Sequence, residues 1–84
     1  MINKMQLVLD IMRLSVEISK NTKTDVFVSY AGHVDQLSVR IYEDGWGEGK
    51  EPYSKDIYLN TEAYRTEEYI IETLEEIYAE LVNI

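Results

Sequence analysis

Polar residues recur through the first twenty positions at Asn3, Gln6, Asp10, Arg13, Glu17 and Lys20, spaced by three and four. That is one narrow polar stripe at helical period, and it predicts an amphipathic helix over residues 4–20. Leu7, Ile11, Leu14 and Ile18 form one apolar row and Met5, Val8, Met12 and Val16 a second, so the expected apolar face is wide enough to lie flat on a sheet. Asn3 is the expected N-cap with Gln6 in the capping-box position, and Asn21 the residue expected to end the helix in a left-handed conformation. The period then changes to two. Val26, Val28 and Tyr30 alternate with Asp25, Phe27 and Ser29, and Leu37, Val39 and Ile41 alternate with Ser38, Arg40 and Tyr42. These runs predict a hairpin of strands at 24–31 and 36–43, rich in β-branched and aromatic residues. The connector around Gly32-His33 allows a two-residue or a four-residue loop: the first sets Asp25 opposite Arg40, the second Phe27.

Residues 44–52 hold three of the four glycines and the only proline, and so break regular structure. Tyr53 to Leu59 predicts a third strand with Ile57 and Leu59 inward and Tyr58 outward. Residues 61–82 predict a closing helix, with a short turn at 61–65 and Thr66 as N-cap. Its apolar row is Ile70, Leu74, Ile77 and Leu81, widened by Ile71, Tyr78 and Val82. The predicted fold is α+β: a two-layer αβββα domain over residues 1–84, with a three-stranded antiparallel meander and both helices on one face. Leu14, Val28, Val39, Ile57, Leu74 and Ile77 are the expected core.

Length and composition narrow the function classes. Eighty-four residues suit one domain, and a chain this size holds roughly 4–13 kcal/mol of stability. Cysteine is absent, which removes disulfides, thiolate metal sites and a cysteine nucleophile. The apolar stretch at the start is interrupted on a regular period by Asp10, Arg13 and Glu17, unlike a secretory leader, and apolar runs stop at three residues. The expectation is a soluble, cytoplasmic protein that does not cross a membrane. The single histidine, His33, falls in a hairpin turn, where a general base would lack a pocket. No enzymatic activity, cofactor or metal is expected.

Charge is the more informative quantity. The net charge is −8 and it is uneven: residues 1–42 carry five basic and four acidic groups, whereas residues 43–84 carry three basic and twelve acidic ones. Such a field repels nucleic acid and anionic lipid, and attracts a basic protein surface. The closing helix carries Glu67, Glu68, Glu72, Glu75, Glu76 and Glu80 without one Lys or Arg. Glu68–Glu72, Glu72–Glu76 and Glu76–Glu80 are like-charge neighbours on its surface, mildly destabilising each other. Two readings stand: a surface aimed at basic groups of a protein partner, or a solvated face that keeps the chain soluble and is partly neutralised by Lys20 and Lys23.

The glycine-rich loop is not a phosphate cradle, because it joins two strands and sits among Glu43, Asp44, Glu48 and Glu51. Nor does its order match a calcium loop. Trp46 either tucks against the sheet or stands exposed as a binding contact. Phe27, Tyr42 and Tyr58 fall on the sheet face opposite the helices, where with Arg40 and Ser38 they would make an exposed aromatic patch. Such a patch suits a protein partner or a homodimer, formed through this face or through an edge strand; it equally suits plain cross-strand stabilisation. RNA recognition on a sheet needs basic residues around the rings, which this chain lacks.

The binding residues expected from the sequence are therefore Glu68, Glu72, Glu75, Glu76 and Glu80 on the last helix, with Phe27, Tyr42, Trp46 and Tyr58. The helix-first layout, the run Val26-Phe27-Val28-Ser29-Tyr30 through Val39-Arg40-Ile41-Tyr42, the Asp44-Gly45-Trp46 turn and the acidic last helix together resemble the small acidic proteins encoded by phages and prophages of Gram-positive bacteria. Some anti-CRISPR proteins share this element order and an acidic surface that mimics DNA. No contact residue carries over from them position by position, so the resemblance implies a context rather than an activity. An alternative function is a structural or assembly protein acting as a homo-oligomer, with the acidity serving solubility alone.

Overall fold

Asn3 starts the first helix as expected. The computed structural model describes residues 3–62 and 65–84, and α1 runs Lys4–Asn21. Asn3 Oδ1 accepts from the Gln6 backbone N–H at 2.8 Å, which satisfies one donor of the open first turn. The reciprocal half of a capping box is missing, because the Gln6 amide turns forward to Asp10 Oδ1 at 2.9 Å. Thr22, not Asn21, stops the helix: its backbone is extended, and its N–H and hydroxyl both donate to Ile18 O, at 3.0 and 2.7 Å. Asn21 stays helical and spends its amide on Glu17 O, so the left-handed end expected there does not form.

Among the described residues three strands, β1 (Asp25–Ala31), β2 (Gln36–Tyr42) and β3 (Tyr53–Tyr58), form one antiparallel sheet in the order β1-β2-β3. Val28 pairs with Val39 and Phe27 with Arg40, which selects the four-residue hairpin loop over the two-residue one. Asp35 makes that loop possible. It takes a positive φ of 54°, a conformation Asp tolerates better than most residues. Its carboxylate accepts from the Tyr30 hydroxyl at 2.6 Å, and its carbonyl accepts from the Leu59 N–H at 2.8 Å. The loop therefore ties the hairpin to the end of β3.

The closing helix, α2 (Glu67–Val82), begins at Thr66, whose hydroxyl oxygen accepts from the Tyr69 N–H at 3.1 Å. Part of the turn expected at 61–65 lies outside the described residues. α1 packs on α2 and β1, and α2 on β3, so both helices cover the same face. Leu7, Ile11 and Ile18 meet Ile70, Leu74, Ile77 and Leu81 above Leu37, Val39, Ile41 and Ile57, all buried. This is the two-layer αβββα sandwich.

Two expectations about the core need correction. Leu14 and Val28 are only half-buried. Of the second apolar row of α1, Val8 packs against the core but the other three do not: Met5 is 64%, Met12 43% and Val16 49% exposed, and Leu9, beside them, 56%. The cause is width. Three strands spaced about 4.8 Å apart span roughly 10 Å, about the separation of two packed helices. With α2 seated toward β3, α1 sits at the β1 side with no strand beneath its outer flank. Ser19 fixes that position: its Oγ accepts from the Val26 N–H at 3.0 Å, an edge donor that β2 does not use.

Candidate functional site

The inward side chains of α2 fix where its carboxylates point. With Ile70, Leu74, Ile77 and Leu81 buried, a turn of 100° per residue sets Glu68, Glu72 and Glu75 on the outermost ridge and Glu76 and Glu80 on the flank facing β3. Glu76 pairs with Lys55 at 3.3 Å, and Glu67 with Lys4 at 3.0 Å. Lys4 is the better anchored cation, since it also donates to Leu59 O at 2.6 Å. The hydrogen bond to Glu76 holds the Lys55 ammonium protonated above its ordinary range, with the charge of Glu76 adding to it. Glu68, Glu72, Glu75 and Glu80 make no ion pair among the described residues. The neutralisation expected from Lys20 and Lys23 does not reach α2. Lys23 pairs with Asp44 at 3.3 Å instead, and among the described residues Lys4 and Lys55 are the cations paired with the helix.

The aromatic residues do not form one patch. Phe27 and Tyr42 stack edge to face with centroids 5.5 Å apart and planes at 78°. Tyr58 pairs with Gln36 at the other end of β2, four residues from Arg40, the partner of Phe27. There the Arg65 guanidinium lies 4.7 Å above its ring, steadied by the carbonyl and side-chain oxygens of Asn60 at 3.1 and 2.6 Å. The main chain of Trp46 lies beside the first pair. Its backbone N–H donates to Asp25 Oδ2 at 2.7 Å, and Asp25 is the strand partner of Tyr42. Gly45 makes the tight turn possible, with a φ of 91° and a position where a Cβ would lie 3.2 Å from Lys23 O. Trp46 is 62% exposed, so it does not tuck against the sheet.

The carboxylate ridge and the aromatic end thus occupy opposite layers of the sandwich, and the residues expected to act together divide into two surfaces. The loop between β2 and β3 borders a groove of about 450 Å³ lined by Glu43, Asp44, Glu51, Lys50 and Tyr53. The Lys50 ammonium already fills its oxygen-rich side, donating to Asp44 O and Gly45 O at 3.4 and 3.3 Å. Among the described residues no group of acids and His33 converges as metal ligands, and no helix is long and apolar enough to cross a membrane. Tyr53 is the one orphan: its hydroxyl is buried without a hydrogen-bond partner among the described residues. Burial, then the charge of Glu76, pushes its pKa up, against the opposing pull of Lys55.

A further surface is not apparent from the sequence, the outward stripe of Met5, Leu9, Met12 and Val16 on α1. Its signal is the 4-3-4 spacing, hidden inside an apolar face that reads as wholly core-facing. No known family, characterised protein or solved structure matches the chain.

Proposed function

We propose that the chain is a non-enzymatic protein-binding module, of phage or prophage origin and cytoplasmic, that offers the outer ridge of α2 to a basic surface of a protein partner. One observation carries this reading: Glu68, Glu72 and Glu75 point straight to solvent and have no internal cation among the described residues. Glu72 and Glu75 serve neither core packing nor the helix dipole, which favours anions only near the first turn. Like-charge repulsion along the ridge is a cost that contact with a cationic surface would reverse. The layout resemblance to small acidic phage proteins supports the origin. The acidity speaks against nucleic acid and anionic lipid as partners.

The test is a pull-down from the native host followed by association kinetics with the recovered partner. Its association rate should fall steeply as salt rises past about 0.15 M, where the Debye length drops below roughly 8 Å. Replacing Glu68, Glu72 and Glu75 with Gln should slow association while leaving the fold intact. A flat salt dependence would remove α2 from the mechanism and shift the contact to Phe27, Tyr42 and Trp46. A second reading, an assembly protein acting as a homo-oligomer, is supported by the exposed apolar stripe on α1.

A further inference from the structure

We infer that two copies of this chain pair through α1, packing Met5, Leu9, Met12 and Val16 of each copy against those of the other in an antiparallel, two-fold arrangement. The inference stands independently of the role given to α2. The spacing of these residues, four, three and four, is that of the seam of a two-helix coiled coil. A seam of this kind is self-complementary, since the spacing that makes knobs on one helix makes holes for the same knobs on its copy.

The surface also holds receiving grooves at both ends. Beside Met5, a groove of about 350 Å³ is lined by Val8, Tyr30 and Leu59. Beside Met12 and Val16, a second of about 270 Å³ opens onto Val26 and Val28 of β1. In an antiparallel pair Met5 of each copy enters the second groove of the other, Val16 enters the first, and Leu9 meets Met12 across the axis. Ser19 and α1 cover part of the β1 edge at Val26, which favours helix against helix over strand addition.

The self-complementary spacing selects a second copy as the occupant, and the distribution of charge permits it. A chain of net charge −8 repels itself, and its acid is concentrated in residues 43–84. α1 carries Lys4, Arg13 and Lys20 against Asp10 and Glu17, and Arg13 and Lys20 lie nearest the stripe. Two copies can therefore meet on the least acidic helix. The four exposed side chains offer on the order of 400 Å² per copy, the size of the largest apolar patch on a typical monomer, which is often functional. With the groove walls, a two-fold contact passes roughly 1,000 Å², the lower bound for a specific interface.

Sedimentation velocity over a range of concentrations tests this. The expected result is a rise from the monomer mass of 9.8 kDa toward twice that value. Leu9→Glu and, separately, Met12→Glu should each weaken pairing by roughly 100-fold, because each places a carboxylate from both copies in the seam. Both sites are exposed, so circular dichroism should report an intact fold. Phe27→Ser, on the opposite face, should leave pairing unchanged. As the chain has no cysteine, mixing Leu9→Cys with Met12→Cys gives a clean reading of orientation. Oxidation should yield the mixed disulfide between the two variants in preference to a homodisulfide of the Leu9→Cys chain. A chain that stays monomeric at the highest concentration, a dimer indifferent to both Glu variants, or a dominant Leu9→Cys homodisulfide would each overturn the proposal.

Discussion

Leu74→Ala is the perturbation to which the packing is most exposed. Leu74 has no solvent-accessible surface and sits on α2 in the middle of the cluster that joins both helices to the sheet. The substitution removes three carbon groups from that site, worth about 0.8 kcal/mol each, or roughly 2.4 kcal/mol of transfer free energy. The hole left behind is on the order of 75 Å³. At about 24 cal/mol per Å³ it adds up to roughly 1.8 kcal/mol if the neighbours do not collapse. The expected loss is therefore about 4 kcal/mol when the cavity stays open and about 2.5 when it closes, within a total stability of roughly 4–13 kcal/mol. With a urea slope near ~1 kcal/mol per M for a chain this small, the midpoint should fall by about 2.5–4 M.

Urea melts followed by far-ultraviolet circular dichroism make the measurement, at protein concentrations low enough that pairing does not add to stability. Leu14→Ala is the comparison that gives it force. The two leucines read alike in the sequence, but Leu14 is only half-buried, so its truncation should cost about 1–2 kcal/mol. A Leu74→Ala loss under about 1 kcal/mol, or equal losses at the two sites, would refute this packing of α2 on the sheet.

Thr66→Ala should cost about 1 kcal/mol in the same melts, since it frees the Tyr69 N–H at the start of α2. Gly45→Ala should destabilise by about 1 kcal/mol or more, because a positive φ and the close Lys23 carbonyl both oppose a Cβ. Tyr53→Phe should be neutral or stabilising at pH 7, as it deletes a buried hydroxyl that has no partner among the described residues. The same residue gives a pH dependence. Its pKa is raised in the folded state, so its neutral form is favoured by folding; that stability is complete below the ordinary tyrosine pKa of about 10 and is lost as pH rises through the folded value. Melts between about pH 9 and 11 should show a smaller alkaline loss in Tyr53→Phe than in the parent, and identical profiles would count against the burial of this hydroxyl.

The element order, the meander and both N-caps are legible in the sequence because each rests on a local signal: a change of period at Thr24, a polar residue before an apolar repeat, glycines clustered at 45–49. The hairpin register is not, since Phe27 and Asp25 are equally acceptable opposite Arg40. Asp35 settles it through contacts to Tyr30 and Leu59 that lie far apart in sequence or across the loop. The candidate residues are legible one by one but not as a set. Tyr58 reads as a neighbour of Phe27 only until β3 is placed in register, which moves it to the far end of β2. The outward stripe of α1 is hidden for a related reason: apolar periodicity reports which residues avoid water, not how wide a sheet there is to cover them.

The three surfaces also differ in the sign of their response to salt, which separates them without any variant. The stripe on α1 points away from α2, so two copies paired through α1 leave both carboxylate ridges and both Phe27–Tyr42 ends free. Pairing brings together two chains of net charge −8 through an apolar seam. Screening weakens their mutual repulsion, so the dimer should tighten as salt rises from about 0.01 M, where the Debye length is roughly 30 Å, to 0.15 M, where it is about 8 Å. Capture of a basic partner on the ridge of α2 depends on attraction across the same solvent, so it should weaken over the same range. Binding through Phe27, Tyr42 and Trp46 should change little. A dimer that loosens with salt would mean that ion pairs rather than the Met5–Leu9–Met12–Val16 seam hold the copies together. Opposite slopes in the two assays would assign pairing and partner capture to the two helices separately.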